Sequence, residues 1–397
     1  MIRNRTTFLR AIAAAVIFGS AVFGCAIEPG PCPCGGSGPD SGIDGCDAFG
    51  YAPSNVGAGA AEGPLADLVF EGSACAASAR IDTDDCRVDC AGGARCEIAV
   101  QSDGTEVAVI AVARFVIRED IDVEVVGARP LVVLATGEVE LRGSITAIDP
   151  IYRFVGRAGG FGCEFNTAPT SGDGPGGGGA SYGTGGAGGG GHCGAGGLGG
   201  AGDGGSLDPG EGGDPYGGAR ITPLEGGSAG GKRALGVGGA GGGALQISSA
   251  VSIAVEGGGA INVSGNGGKG NAGGGGGAGG AVLLEAPAVR VAGVLAANGG
   301  GGGAGCLFGD GMPGQPGSAP AHGGACADGA PGGDGAYGGA IDGARGAAFD
   351  GGFSGGGGGG GAGWIRINTA DGAVDVTGVL SPSLGSGCAS FGELEGY

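Results

Sequence analysis

Residues 281–297, AVLLEAPAVRVAGVLAA, contain a complete unit of strand, corner, strand, corner and strand. A short apolar run opens the unit and ends at an Ala-Pro break. Val289 and Val291 then alternate with Arg290, and this period of two is typical of a strand with one buried face. A corner at Gly293 and a final apolar pair complete the unit. We take this order of strands and corners as the basis of the fold.

The same order of strands and corners recurs three more times along the chain. It reads PLVVLATGEVELRGSITA at residues 130–147, ALQISSAVSIAVEGGGAINVS at 244–264 and WIRINTADGAVDVTGVLS at 364–381. Repeated units of similar length predict a stack in which no unit buries its apolar face alone. We therefore predict an all-β protein, a parallel β-helix or solenoid-like stack. Its core is expected to contain Val133, Ile253, Val291 and Ile367 together.

Outward-facing acids alternate with the apolar residues of the first strands. Ile121, Val123 and Val125 alternate with Asp and Glu, which predicts one buried face and one wet face. The chain carries 39 acidic against 19 basic residues, a net charge of −20. Nucleic-acid binding requires a positive surface that displaces counterions from phosphates, so this balance argues against a nucleic-acid partner.

The N-terminus has the layout of a secretory signal. Residues 1–24 combine early arginines with a short apolar run, which is typical of an export signal and short for a membrane span. The end of this run, VFGC, looks like a bacterial lipobox. The resemblance implies cleavage before Cys25, lipidation of its thiol and attachment to the outer membrane, because Ala26 is not an acidic retention signal. Secretion without lipid is the alternative.

Twelve cysteines remain when Cys25 is set aside, an even number that in an exported chain favours disulfides over metal ligation. Local pairing is expected within the group of Cys75, Cys86, Cys90 and Cys96, and a second group comprises Cys163, Cys193, Cys306 and Cys326. Zinc ligation by Cys86 and Cys90 is the less favoured alternative. The twelve disulfide candidates are Cys32, Cys34, Cys46, Cys75, Cys86, Cys90, Cys96, Cys163, Cys193, Cys306, Cys326 and Cys388.

The changes in composition divide the chain into alternating parts. A tether carrying the lipidated cysteine follows the signal peptide, and a cysteine-rich cap precedes the first coils. Three glycine-rich inserts then separate the later coils. The predicted parts are the signal peptide 1–24, tether 25–50, cap 51–106, first coils 107–155, insert 156–243, coil 244–264, insert 265–280, coil 281–297, insert 298–363, and final coil with C-terminal cap 364–397.

The glycine-rich inserts leave two alternatives open. Glycine loses more conformational entropy on ordering than any other residue, which favours disorder. Bare backbones can also pack side by side as extended helices with three residues per turn, the polyglycine counterpart of polyproline II. The inserts carry four cysteines that would tie their ends. They are therefore predicted to be polyglycine II-like or disordered.

The order of segments also resembles a known group of proteins. RPLVVLATGEVELRGSI, a long glycine insert, GGAVLLEAPAVRVAGVLAANGGGGG and GAGWIRINT are similar to a family of glycine-rich exported β-helix-like lipoproteins of myxobacteria and related bacteria. The likeness covers residue 107 to the C-terminus. It implies a parallel β-helix-like scaffold at the cell surface, with no catalytic residue to carry over.

Motifs with chemical meaning are few. Glu138, Glu140, Arg142 and Arg118 are the nearest approach to an acid–base cluster for polysaccharide binding or cleavage, with Tyr152 as the one aromatic companion. His192 is expected to be solvated, and no resident cofactor is expected. Scattered Asp residues leave weak calcium sites open, without the spacing of a calcium-binding repeat. These are Asp173, Asp203, Asp208, Asp214, Asp310, Asp328, Asp334, Asp342 and Asp350.

The sequence therefore favours a non-catalytic surface lipoprotein that displays glycine-rich loops. Its expected partners are a membrane, through the lipid anchor, and an envelope or matrix polysaccharide or protein. A polysaccharide-binding or polysaccharide-cleaving β-helix and a calcium-organised matrix protein are the alternatives.

Overall fold

The structure is a computed structural model, and it describes residues 48–90, 94–148, 156–162, 168–202, 209–233, 236–270, 272–348 and 354–396. Several predictions fall outside these ranges. They concern the signal peptide, most of the tether, Tyr152, and the cysteines Cys25, Cys32, Cys34, Cys46 and Cys163.

The described chain is nearly all β. Its helical content is a short 3-10 turn, Ala58–Ala61, and one helix, α1, Gly72–Ser78. The strands of the N-terminal half are β1 Leu68–Phe70, β2 Arg80–Asp82, β3 Arg87–Asp89, β4 Arg95–Val100, β5 Glu106–Val112, β6 Phe115–Ile117, β7 Asp122–Val126, β8 Leu131–Ala135, β9 Val139–Leu141 and β10 Ser144–Thr146. Those of the C-terminal half are β11 Ala244–Ser249, β12 Ser252–Val255, β13 Ala260–Asn262, β14 Ala281–Glu285, β15 Ala288–Val291, β16 Val294–Ala296, β17 Trp364–Thr369, β18 Asp375–Val376, β19 Val379–Ser381 and β20 Ala389–Glu393.

These strands form three sheets, and each unit recognised in the sequence contributes one strand to each. The first sheet has the order β1-β6-β9-β12-β15-β18, and the second β19-β16-β13-β10-β7-β2-β3. The third has the order β20-β17-β14-β11-β8-β5-β4. The pairings are parallel except for β2 with β3 and β4 with β5, which are antiparallel. The prediction of an all-β stack with parallel pairing is confirmed.

Aligned aliphatic side chains fill the space between the three sheets. In the third sheet Val133 lies opposite Ile247, Ile247 opposite Leu284, and Leu284 opposite Ile367. All of these side chains are buried in one hydrophobic cluster. The same cluster contains Ile253 and Val291 of the first sheet, as the sequence predicts. β-Branched residues suit such a surface because they pack well against their neighbours along a ladder.

The outer face of the third sheet is also buried. A second hydrophobic cluster joins Val132 and Leu283 of this sheet to side chains of residues 49–61, which we call the N-terminal segment, among them Phe49 and Tyr51. The strands of this sheet consequently read as continuous apolar runs, the pattern of strands buried on both faces. In the exposed parts of the other sheets, Ile121, Val123 and Val125 are buried while Asp122 is exposed, so the predicted alternation is confirmed there.

The three glycine-rich inserts leave the stack at one corner. Each begins after a strand of the second sheet and ends at a strand of the third sheet, namely β10 to β11, β13 to β14 and β16 to β17. Because these strands are stacked in register, the inserts emerge one above another. The corner therefore brings three distant stretches of sequence side by side.

Truncation of one ladder residue tests the shared core. Ile247→Ala is expected to lower the free energy of unfolding by about 3 kcal/mol, because the neighbouring rungs prevent collapse around the cavity. Val251→Ala removes an aliphatic side chain that is 46% exposed and is expected to change it by less than about 0.5 kcal/mol. Urea unfolding measures both variants. Equal effects would contradict a continuous core.

Candidate functional site

The glycine inserts pack against one another, and we call their described parts the glycine sheaf. Residues 354–363 lie inside it. Their successive amides donate to three different neighbouring segments in turn, and the pattern repeats every third residue. The donor–acceptor pairs are Gly357–Gly303, Gly358–Ala187, Gly359–Ala344, Gly360–Gly300, Gly361–Gly190 and Ala362–Ile341, with N···O distances of 2.8–2.9 Å.

The carbonyl groups of the same segment accept from three further segments. Their donors lie in residues 194–202, 273–280 and 330–336. The pairs are Gly200–Gly356, Gly197–Gly359, Gly276–Gly358, Gly279–Gly361, Gly333–Gly357 and Ala336–Gly360. Residues 354–363 are thus bonded on all sides. Because backbone groups are obligatory hydrogen-bonding groups, this arrangement satisfies a buried chain that has no strand partner.

Inner positions of the sheaf have no room for a side chain. A Cβ atom at Gly276 would overlap the carbonyl oxygen of Gly300, and one at Gly358 would overlap that of Gly197. Both obstacles are backbone atoms and cannot rotate away. The long runs of consecutive glycine are therefore the segments that have neighbours on every side.

Outer segments need glycine at every third position only. Gly311 and Gly314 face inward, and their amides donate to the carbonyl oxygens of Gly268 and Gly265. Met312, between them, is 47% exposed. A chain with three residues per turn presents one residue in three to a given side. This explains Gly311 and Gly314 of the short collagen-like pattern GMPGQPGS at residues 311–318, whereas a Cβ at Gly317 would meet nothing within 4 Å.

Aspartates on the outer segments bind amides of neighbouring segments. Asp310 Oδ1 accepts from Gly270 N at 2.9 Å, Asp334 Oδ1 from Gly323 N at 2.8 Å, and Asp342 Oδ1 from Ala195 N at 2.9 Å. Asp310 also pairs with Lys269 Nζ at 2.7 Å. These carboxylates therefore accept hydrogen bonds from backbone amides at the edge of the glycine sheaf. Within the described ranges no group of three or more His, Cys, Asp or Glu side chains is placed to hold a metal ion.

Disulfides tie the sheaf and the N-terminal strands. Cys75 bonds Cys90 and Cys86 bonds Cys96, which agrees with local pairing in the first group of cysteines. Cys306 bonds Cys326 at one end of the sheaf.

The expected grouping of Cys193 with the other insert cysteines is wrong. Cys193 bonds Cys388, which directly precedes β20 and is 195 residues away in sequence. The amide of Cys193 also donates to the carbonyl of Ala362. The sheaf thus brings residue 193 to the end of the third sheet. The spacing of the cysteines along the sequence cannot reveal this proximity.

His192 is buried, which corrects the expectation that it is solvated. Its side chain is 1% exposed and its ring lies 4.6 Å from that of Tyr216. Nδ1 is 2.8 Å from the carbonyl oxygen of Gly279 and, since that oxygen only accepts, Nδ1 carries the proton. Burial lowers the pKa of His192 to about 4, against the usual 6.5. The ring is therefore a neutral part of the junction between sheaf and stack.

Glu285 forms the centre of a buried polar network on the outer face of the third sheet. Oε1 accepts from Ser54 Oγ at 2.5 Å and from Asn368 Nδ2 at 3.2 Å. Oε2 accepts from Ser54 N, Gln246 Nε2 and Ser248 Oγ at 3.0–3.1 Å. Burial raises the pKa of Glu285, and the Ser54 donors oppose this most among the hydrogen bonds. The network attaches the N-terminal segment to the sheet.

A polar cleft of about 460 Å³ opens beside this network. Its lining combines two arginines, two glutamates and several neutral polar groups. The lining residues are Ser54, Arg220, Thr222, Arg366, Asn368, Glu393, Leu394 and Glu395. Small-ligand sites are usually lined by apolar side chains with a few polar groups, so this predominantly polar lining suits a polar ligand.

Three residues of the acid–base cluster suggested by the sequence, Glu140, Arg142 and Arg118, form surface ion pairs, whereas Glu138 is exposed and takes no part in them. Glu140 Oε1 lies 2.5 Å from Arg142 Nε, and Glu140 Oε2 lies 3.6 Å from Arg118 Nη1. Arg142 also lies 3.8 Å from Glu119. Hydrogen bonding to Glu140 raises the pKa of Arg142. The structure brings these residues together, but as mutually neutralising charges on an open strand face.

Sequence reasoning missed both Glu285 and Arg366. Each is a lone charged residue in an apolar strand, within AVLLEA and WIRINT respectively. A charge inside such a run signals a buried polar contact, because an isolated charge is expensive to bury. That signal existed, but partners such as Ser54 for Glu285 and Ser390 for Arg366 are placed nearby only by the fold.

No family model, no curated protein and no solved structure matches the chain. Within the residues that the structure describes, no helix has the length and apolarity needed to cross a membrane.

A matched pair of glycine substitutions tests the sheaf. Gly276→Ala forces a methyl group against the Gly300 carbonyl and is expected to lower the free energy of unfolding by about 2 kcal/mol or more. Gly218→Ala meets nothing within 4 Å, so it is expected to be neutral or slightly stabilising. Thermal and urea unfolding measure both. A tolerated Gly276→Ala would contradict the close packing.

The buried histidine predicts an acid-dependent loss of stability. The unfolded chain takes up a proton at His192 below about pH 6.5, whereas the folded chain does so only near pH 4. The contribution of neutral His192 to the free energy of unfolding is therefore fully present above about pH 6.5, and it decreases by about 3 kcal/mol as the pH drops to 4.

The test compares urea unfolding at pH 7 and pH 4 in wild type, His192→Gln and His322→Gln. His192→Gln should lose less stability than wild type between the two pH values, because it has no group to titrate there. His322→Gln, which removes an imidazole whose side chain is 65% exposed, provides the matched control. The raised pKa of Glu285 acts in the opposite direction in all three proteins, so it cancels from the comparison.

Proposed function

We propose that this chain is a non-catalytic structural protein of the bacterial cell surface. In this proposal the three-sheet stack is a parallel β-solenoid, and the glycine sheaf is a polyglycine II-like bundle held on its side. The observation that carries the proposal is the three-directional hydrogen bonding of residues 354–363. A body bonded in this way resists deformation, which suits a scaffold more than a mobile display loop.

The charge distribution supports a scaffold over an enzyme. Glu140 and Arg142 neutralise each other, and Asp310, Asp334 and Asp342 bind backbone amides. Groups used in this way are poorly placed to transfer protons or to bind calcium tightly. The exposed outer segments and their connecting loops remain as contact surfaces for an envelope or matrix partner.

The four disulfides among the described residues support an oxidising compartment outside the cytoplasm. Together with the signal-like N-terminus and the lipobox-like VFGC, they favour an exported lipoprotein anchored in the outer membrane through Cys25. Lipoprotein acyl chains would give stable attachment, since two or more chains anchor where one does not.

Replacement of Cys25 tests the anchor. In a Gram-negative host the wild-type chain is expected in the outer-membrane fraction, with a mature N-terminal cysteine that carries acyl chains by mass spectrometry. The Cys25→Ala variant should be absent from the membrane fraction and keep its unfolding transition, because the substitution changes no residue of the described stack. A soluble wild-type protein, or an unmodified Cys25, would contradict the proposal.

A further inference from the structure

The polar cleft beside Glu285 contains a guanidinium without a carboxylate partner. Arg366 Nε donates to Asn368 Oδ1 at 2.7 Å, and Nη1 donates to Ser390 Oγ at 3.1 Å. In the described part of the chain no carboxylate lies within 4 Å of it. Most other described arginines do have such a partner: Arg80, Arg87, Arg95, Arg114, Arg118, Arg129, Arg142, Arg157, Arg220 and Arg290.

The position of Arg366 is held by its surroundings. Asn368 and Ser390 are neutral acceptors on β17 and on the adjacent β20, so they orient the guanidinium without neutralising it. Gly392 lies against it, and a Cβ there would overlap Nη2 of this guanidinium position. Burial lowers the pKa of Arg366 and the nearby Arg220 lowers it further, whereas the charge of Glu285 raises it. Two arginines and two glutamates therefore line one cleft, in which Arg220 pairs with Glu395 while Arg366 has no ion pair among the described residues.

We infer that this cleft binds a carboxylate-bearing saccharide, that is, a uronic acid residue of an acidic glycan. The guanidinium of Arg366 takes the carboxylate, since its planar fork matches a carboxylate in geometry and charge. The inference adds a ligand to the proposed scaffold and does not depend on how the chain is attached to the cell.

The rest of the lining fits the hydroxyl groups of a sugar. Ser54 and Thr222 carry hydroxyl groups, and Glu393 and Glu395 supply acceptors. Leu394 is the one apolar residue of the lining, so an apolar ligand would find little surface. A volume of about 460 Å³ lies within the usual range of roughly 300–1,000 Å³ for small-ligand sites.

The same lining argues against compact, highly charged anions. Glu393 and Glu395 would repel the second charge of a phosphate or a sulfate, whereas one carboxylate surrounded by hydroxyl groups places its charge at Arg366 alone. At about 0.15 M salt the Debye length is about 8 Å, so the distant acids of the chain contribute little. The local groups decide the preference.

Calorimetric titration of the purified chain with trigalacturonate tests the inference. Binding is expected, and it should weaken about tenfold or more when the carboxylates are methyl-esterified, because the charged hydrogen bonds to Arg366 are lost. Inorganic phosphate, sulfate and the neutral galactotriose should bind more weakly than trigalacturonate. Absence of heat at millimolar trigalacturonate, or equal binding of the ester, phosphate or sulfate, would overturn the inference.

Charge-matched variants locate the site. Arg366→Gln should weaken trigalacturonate binding about tenfold or more, whereas Arg345→Gln removes an exposed charge from the sheaf and should leave the affinity within about twofold. Equal affinities of these two variants would place the ligand elsewhere and overturn the inference.

A second variant keeps the test decisive if Arg366→Gln does not fold. Glu395 pairs with Arg220 at 2.7 Å, and its side chain is 72% exposed, so Glu395→Gln is expected to preserve the fold. It removes a competing carboxylate and should strengthen binding by a few-fold. Unchanged or weaker binding in folded Glu395→Gln would contradict the assignment of the cleft.

Discussion

The spacing of hydrogen-bonded chains is the constraint on which the whole molecule depends. The parallel ladders of the third sheet continue directly into the glycine sheaf: Ala281 N donates to Gly243 O at 3.0 Å, and Trp364 N donates to Gly280 O at 2.9 Å. Neighbouring strands lie about 4.8 Å apart. The stack therefore delivers the inserts at a separation at which their backbones can bond directly, and this turns three flexible sequences into one body.

Glycine makes the close approach in the sheaf feasible and also makes it costly. Ordering a residue costs about 1–2 kcal/mol of backbone entropy, and glycine lies at the upper end. A single tract could not offset that cost, because its amides would have only water as partner. Inside the sheaf every segment satisfies its neighbours, and Cys193–Cys388 and Cys306–Cys326 limit the unfolded alternatives. Order in the sheaf is therefore collective.

This architecture restricts where function can lie. The interior of the sheaf is buried backbone, and the charges around Glu140 are paired with one another. The junction of stack, N-terminal segment and C-terminal strand is different, since Glu285 and Arg366 are held there by neutral donors and acceptors. The proposed scaffold and the proposed saccharide cleft are thus properties of different parts of one chain.

The sequence by itself determined the strands, the repeating unit and the shared core. Periodicity in 281–297 and its three relatives predicts buried Val133, Ile253, Val291 and Ile367, because alternation over a short strand is a local property. Local cysteine pairing near residue 86 was also accessible. Tertiary structure alone decided that the glycine inserts are ordered, that Cys193 bonds Cys388 and that His192 is buried. It also decided the polar cleft beside Glu285, which Arg366 lines. Each of these joins residues far apart in the chain, and a glycine run carries no side-chain pattern that could specify its partner.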